Sequence, residues 1–115
     1  MNDDCVFCRI AAGEIPSREA YHGHLVYGFY DQQPVAPVHV LLVPHQHVTS
    51  AAELGPEHGD ILAEMAVAAQ AIAEREGIGD DGYRLVFNVG DAAGATVPHL
   101  HMHMLGGRKM AWPPG

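Results

Sequence analysis

The sequence predicts a single mixed domain, a sheet crossed by one long helix, and three stretches carry that expectation. His99 to Leu105 alternates polar and apolar residues at period two, as a half-buried strand does. Val38 to Val43 is apolar almost throughout, the pattern of a central strand covered on both faces. Ile61, Leu62, Met65, Ala69 and Ile72 recur at helical spacing, opened by Gly55-Pro56-Glu57 and stopped by Gly77. A length of 115 residues allows one domain, near the lower end for a self-sufficient enzyme, so dimerisation is expected. No apolar run is long enough to span a membrane. Met1-Asn2-Asp3-Asp4 lacks the basic start and apolar core of a signal peptide, which makes the cytoplasm the expected location.

Taken in order, the chain first presents Cys5-Val6-Phe7-Cys8, its only two cysteines. Such a pair is a redox dithiol or half of a tetrahedral zinc site. The redox reading expects a strand ahead of the motif, and at four residues from the start there is room for none, which favours zinc. Arg9 to Glu14 reads as a short helix ended by Gly13, and Ile15-Pro16 begins an extended segment. Leu25 to Tyr30 reads as a strand whose Gly28 marks a bulge or a close approach. Asp31-Gln32-Gln33-Pro34 is a turn, and the apolar strand follows between Pro37 and Pro44. After the long helix come a third strand, Tyr83 to Asn88, and a loop of small residues, Gly90 to Thr96, leading into the histidines. Glycines let a backbone approach a ligand, and free N–H groups in such a loop form an anion-binding nest.

Fourteen acidic residues against six basic ones give a formal charge of −8, which opposes nucleic-acid binding because few cations are present to displace counterions. A small anion would be held locally, by backbone N–H groups and imidazoles.

Alternate residues on a strand are roughly 6.6 Å apart, so the outer two of His99, His101 and His103 are separated by about 13 Å on one face. Zinc needs each nitrogen at about 2.0–2.1 Å, and one ion cannot easily collect all three. Two readings stand: a metal held by one or two of them, or a nucleophile and proton-transfer group. Of the other six, His22, His24 and His58 sit in polar surroundings and read as solvated, His45 as surface, and His39 as a core residue within its strand.

His99-Leu100-His101-Met102-His103-Met104 resembles the signature of the histidine triad (HIT) superfamily. Glu14-Ile15-Pro16, Ala36-Pro37-Val38-His39, Val43-Pro44-His45-Gln46-His47, Gly82-Tyr83-Arg84, Asn88-Val89-Gly90 and the stretch from Leu105-Gly106-Gly107-Arg108 to Trp112-Pro113-Pro114-Gly115 are similar to its Hint branch. The resemblance covers essentially the whole chain. It implies an α+β protomer with an antiparallel sheet of about five strands, one long helix and a short N-terminal helix, joined into a two-fold homodimer.

It further implies a nucleotide-binding hydrolase acting on purine nucleoside monophosphate derivatives, cleaving the P–N bond of phosphoramidates through a nucleotidyl-histidine on His101. Asp31 would accept the ribose hydroxyls, and Phe7, Ile10 and Phe29 would line the base pocket. Asn88, Gly94, Thr96 and His103 would contact phosphate or the reacting centre. Thr96 stands where many Hint proteins have serine, and Thr96 or His103 is the candidate acid for the leaving group. Position by position, Cys5, Cys8, His47 and His99 match the structural zinc ligands of some bacterial members, which gives His99 a positioning role. No catalytic metal is implied, and Trp112 would reach the partner's site. The alternatives are a nucleotidyl transferase or dinucleotide polyphosphate hydrolase, and a zinc-stabilised nucleotide- or partner-binding protein with little turnover.

Overall fold

The computed structural model describes residues 4–115, so Met1 to Asp3 of the acidic start lie outside the described residues. Five strands form one antiparallel sheet in the order β1-β2-β3-β5-β4: β1 (Glu19–His22), β2 (Val26–Tyr30), β3 (Val38–Pro44), β4 (Tyr83–Val86) and β5 (Met102–Gly106). Two helices cover it, α1 (Val6–Ala11) and α2 (Gly59–Glu76). Among the described residues no helix is long and apolar enough to cross a membrane.

β3 occupies the centre because both its faces are apolar. Val38, Val40 and Leu42 join Ile61, Met65, Ala69 and Ile72 of α2 in one buried cluster, together with Leu100, Met102 and Met104. Burying each large side chain there contributes about 1.5–3 kcal/mol. Leu41 and Val43 point the other way, into a second cluster with Cys5, Phe7, Cys8, Tyr27 and Phe29. The functional side chains gather on this second face.

Gly28 shows both features expected of it. A Cβ there would come within 2.8 Å of Leu42 Cδ2, and the β1–β2 register slips opposite it, with one extra residue in β1 between Glu19 and Tyr21. Gly77 ends α2 in the left-handed region, at φ +74°, with the Ile78 N–H returning to the Ala73 carbonyl at 2.9 Å.

Several boundaries differ from the sequence reading. α1 begins at Val6, not Arg9, because Cys5 caps it: its Sγ accepts the Cys8 N–H at 3.3 Å. β1 is an additional strand, with Ala20 alone fully buried in it, so it carries no clear alternation. β4 ends at Val86, and β5 begins only at Met102, which leaves His99 outside the ladder. His58 is buried, not solvated; its Nδ1 accepts the Gly55 N–H at 2.9 Å and closes the turn leading into α2.

Candidate active site and metal centre

The site is assembled from one end of α1, the cluster-side face of β2 and β3, and the histidine run. A cleft of about 580 Å³ is lined by Phe7 and Ile10 of α1, Phe29 and Asp31 of β2 and its exit, and Thr96, His101 and His103. These are seven of the residues singled out in the sequence. Three others lie elsewhere. Asn88 lines a separate cavity with Arg84 and Met110, Trp112 is 83% exposed, and Gly94 does not line the cleft. The loop is folded on itself: the Gly94 N–H donates to the Asp91 carbonyl and the Ala93 and Ala95 N–H groups to that of Gly90, so the expected nest is not open there.

His101 is oriented by its own backbone neighbourhood. Its Nδ1 donates to the His99 carbonyl at 2.8 Å, which leaves the lone pair on Nε2. The Phe7 ring stands edge-on to His101 at 5.1 Å and to Phe29 at 5.6 Å, tying the imidazole to the aromatic wall of the cleft.

His39 is the functional neighbour that the sequence reading assigned only to the core. It is buried, and its Nδ1 accepts the Val35 N–H at 3.1 Å, so the ring proton resides on Nε2. That Nε2–H faces His103 Nδ1 at 3.0 Å, and Asp31 Oδ2 lies 3.4 Å from it. His103 thus accepts at Nδ1 and carries its own proton on Nε2. The signal was present: His39 shares strand parity with Leu41 and Val43, on the cleft face.

Burial lowers the pKa of His39, opposed by Asp31. His103 is lowered from 6.5 to about 4, by burial first and then by His101 and His39. An unfolded His103 therefore takes up a proton between about pH 6.5 and 4 that the folded chain refuses, so its contribution to stability is present above pH 6.5 and lost as pH falls toward 4. The urea midpoint should drop between pH 7 and pH 5, and His103→Asn should shrink that drop; an equal drop in both proteins would assign it to other groups.

The second constellation is joined to His101 through His99, whose carbonyl accepts from His101 Nδ1. Cys5 Sγ is 3.1 Å from His99 Nδ1, and Cys8 Sγ is 3.3 Å from His47 Nδ1 and 3.4 Å from His99 Nδ1. With one donor atom from each residue, all within 4.8 Å of one another, these four could hold a metal ion. The tautomer suits a ligand: His99 Nε2 donates to the Pro44 carbonyl at 3.1 Å, which keeps the lone pair on Nδ1. Two sulfurs and two nitrogens with bonds of about 2.3 and 2.0–2.1 Å would sit roughly 3.6 Å apart, close to the spacing observed. The cysteine pair does occupy a helix N-terminus, as a redox dithiol would, but the two imidazoles against the sulfurs complete a ligand set instead.

Asp31, His39 and His103 also bring three candidate ligand atoms together. Because Val35 occupies His39 Nδ1, Nε2 carries a proton there, and the group is a hydrogen-bonded chain and not a metal site.

A family model for the HIT domain matches residues 12–110. The chain belongs to the HIT family. Purine nucleoside phosphoramidase of Escherichia coli K12 is 41% identical to it over 110 residues, covering 96% of this chain and 92% of that protein. A 14 kDa zinc-binding protein of Zea mays is 40% identical over 112 residues, covering 96% of this chain and 87% of its own length. Among solved structures, a HIT family hydrolase from Legionella pneumophila Philadelphia 1 superposes with a TM-score of 0.93 at 41% identity, over 96% of this chain and 99% of that one. The HIT fold expected from the histidine run is thus the fold found, five antiparallel strands with one long and one short helix.

Proposed function

We propose that this HIT protein is a hydrolase that cleaves the P–N bond of purine nucleoside phosphoramidates through a nucleotidyl-histidine on His101, releasing the nucleoside monophosphate. The observation that carries this reading is the hydrogen bond from His101 Nδ1 to the His99 carbonyl, because it turns Nε2 of the ring toward attack in a cleft large enough for a small ligand. The identity with purine nucleoside phosphoramidase supports the substrate class.

In this reading Nε2 of His101 bonds to phosphorus as the P–N bond to the amine breaks. The amine leaves with a proton from Thr96 or His103, both of which line the cleft. Water then replaces the imidazole on phosphorus, adding its hydroxyl there and restoring the proton to the donor. The His103 Nε2–H stabilises charge on the phosphoryl oxygens, as a preorganised donor that needs no rearrangement. Asp31 receives the ribose hydroxyls; its Oδ1 is already fixed by the Gln33 N–H at 2.8 Å. Phe7, Ile10 and Phe29 hold the base. Asn88 and Gly94 are given no part, since neither lines the cleft.

Zinc is the metal we assign to Cys5, Cys8, His47 and His99, in keeping with the zinc-binding relative. A closed set of two thiolates and two imidazoles leaves no position for water, so zinc there supplies structure and not water activation. We also read the protein as a homodimer joined at the outer strand β4, where Leu85 is exposed, as is Val89 just beyond the strand, with Trp112 reaching the partner's cleft.

The test is turnover of an adenosine phosphoramidate and a diadenosine polyphosphate side by side. The phosphoramidate is expected to have the higher kcat/KM by at least about tenfold. A preference for the polyphosphate would replace this reading by that of a dinucleotide hydrolase, and AMP binding without turnover of either would make the protein a binding module.

A further inference from the structure

The wall of the cleft contains a polar pair that the reaction does not use. Ser17 lines the cleft, and its Oγ lies 2.7 Å from the hydroxyl of Tyr27. Tyr27 is 6% exposed, with its ring lying 27° from that of Phe29 at 6.1 Å, so it belongs to the same packed layer as the aromatic wall. A buried phenol needs an acceptor for its proton, and among the described residues Ser17 Oγ is the hydrogen-bond partner of this one. Either hydroxyl can donate across this contact, and the arrangement in which Tyr27 donates leaves the Ser17 O–H to point elsewhere. Phe7, Ile10, Ile15 and Phe29 are among the lining residues of the cleft, as are Arg18, Asp31, Gln32 and Gln33.

The apolar side chains grip any flat base equally, because stacking and burial do not distinguish ring edges. The hydroxyl changes that. We propose that Ser17, held and polarised by Tyr27, determines base specificity by donating to a ring nitrogen on the purine edge. Donation from the phenol strengthens the serine as a donor in turn, and a purine deep enough to reach it satisfies a group that a smaller pyrimidine leaves unpaired. This rests on the reading of the cleft as a nucleotide site, and it adds which part of the ligand is selected and by which residues.

The test uses AMP, GMP and UMP binding by calorimetry, alongside hydrolysis of the matching phosphoramidates, for the wild type, Ser17→Ala, Ser17→Thr and Tyr27→Phe, with melting temperatures on each. Ser17→Ala is expected to weaken AMP and GMP roughly three- to tenfold and UMP less, so that the purine-over-pyrimidine ratio falls. The loss should fall on KM and not kcat, as expected of an interaction that is made alike in the ground and transition states. Ser17→Thr, which keeps the hydroxyl, should retain the ratio, and Tyr27→Phe should lower it by a smaller factor. An unchanged ratio in Ser17→Ala, or a wild type that binds none of the three nucleotides, would overturn the proposal. Because binding is read apart from turnover, a wild type that binds purines selectively and hydrolyses nothing would remove the hydrolase reading while leaving this one in place.

Discussion

Replacing His101 by alanine is expected to lower kcat/KM for an adenosine phosphoramidate by at least about 10⁴-fold while AMP binding and metal content persist. The size follows from what is lost. Without Nε2 the reaction has no nucleophile of its own, and the donors that remain, His103 and Thr96, stabilise a displacement that only bulk water can begin. Persistence of AMP binding is expected because, in the proposed reading, Phe7, Ile10, Phe29 and Asp31 of the cleft would hold the nucleoside without the imidazole. Turnover by fluorogenic release of the amine, with zinc measured on the same preparations, checks both halves. A loss of less than about tenfold would mean that His101 does not form the intermediate.

The second large effect is expected behind the nucleophile. Cys8→Ser should abolish stoichiometric zinc, lower the melting temperature by about 10 °C or more, and reduce turnover roughly 10- to 100-fold. The physical link is His99. Its ring faces both sulfurs through Nδ1, its Nε2 is fixed on the Pro44 carbonyl, and its own carbonyl receives the His101 Nδ1 proton. His99 therefore joins the proposed metal site to the proposed nucleophile, His101. If His99 loses its anchor, the carbonyl that directs His101 is free to move, and the attack is misaligned without any loss of the reacting groups. A variant that lost zinc but kept its melting temperature and activity would show the four residues to be incidental neighbours.

The parts of this molecule that were legible in the sequence are those where one force dominates. The helix stop at Gly77 and the central position of β3 follow from backbone handedness and apolar pattern, and both are as expected. The histidine run was read as a strand with all three rings alike. The side to which each ring turns is right, yet His99 lies before the ladder, because its ring is engaged by the cysteines and its N–H by the Val97 carbonyl. A period-two pattern reports the face and not whether the backbone is paired.

The misses share another cause, which is that neither residue type nor local pattern announces the deciding contact, even where it lies only three or four residues away. Cys5 caps α1 through sulfur, a residue type that gives no ordinary signal for a helix start. β1 forms because β2 pairs with it around a bulge, not because Glu19 to His22 has a strand pattern of its own. His58 reads as solvated from its polar surroundings and His39 as a core residue from its strand; both are buried, and single backbone N–H donors from Gly55 and Val35 fix their rings. Within the candidate site, Phe7, Ile10, Phe29, Asp31 and Thr96 come from three separate segments and meet in one cleft, which only the resemblance to the family anticipated.

The central claim is that hydrolysis proceeds by two displacements at phosphorus, the first by His101. The stereochemical course tests it most directly, using a P-chiral adenosine phosphorothioamidate hydrolysed in heavy-oxygen water. Each in-line displacement inverts the centre, so a nucleotidyl-histidine predicts a product with net retention of configuration. Net inversion would show that water attacks the substrate itself, and would contradict the account.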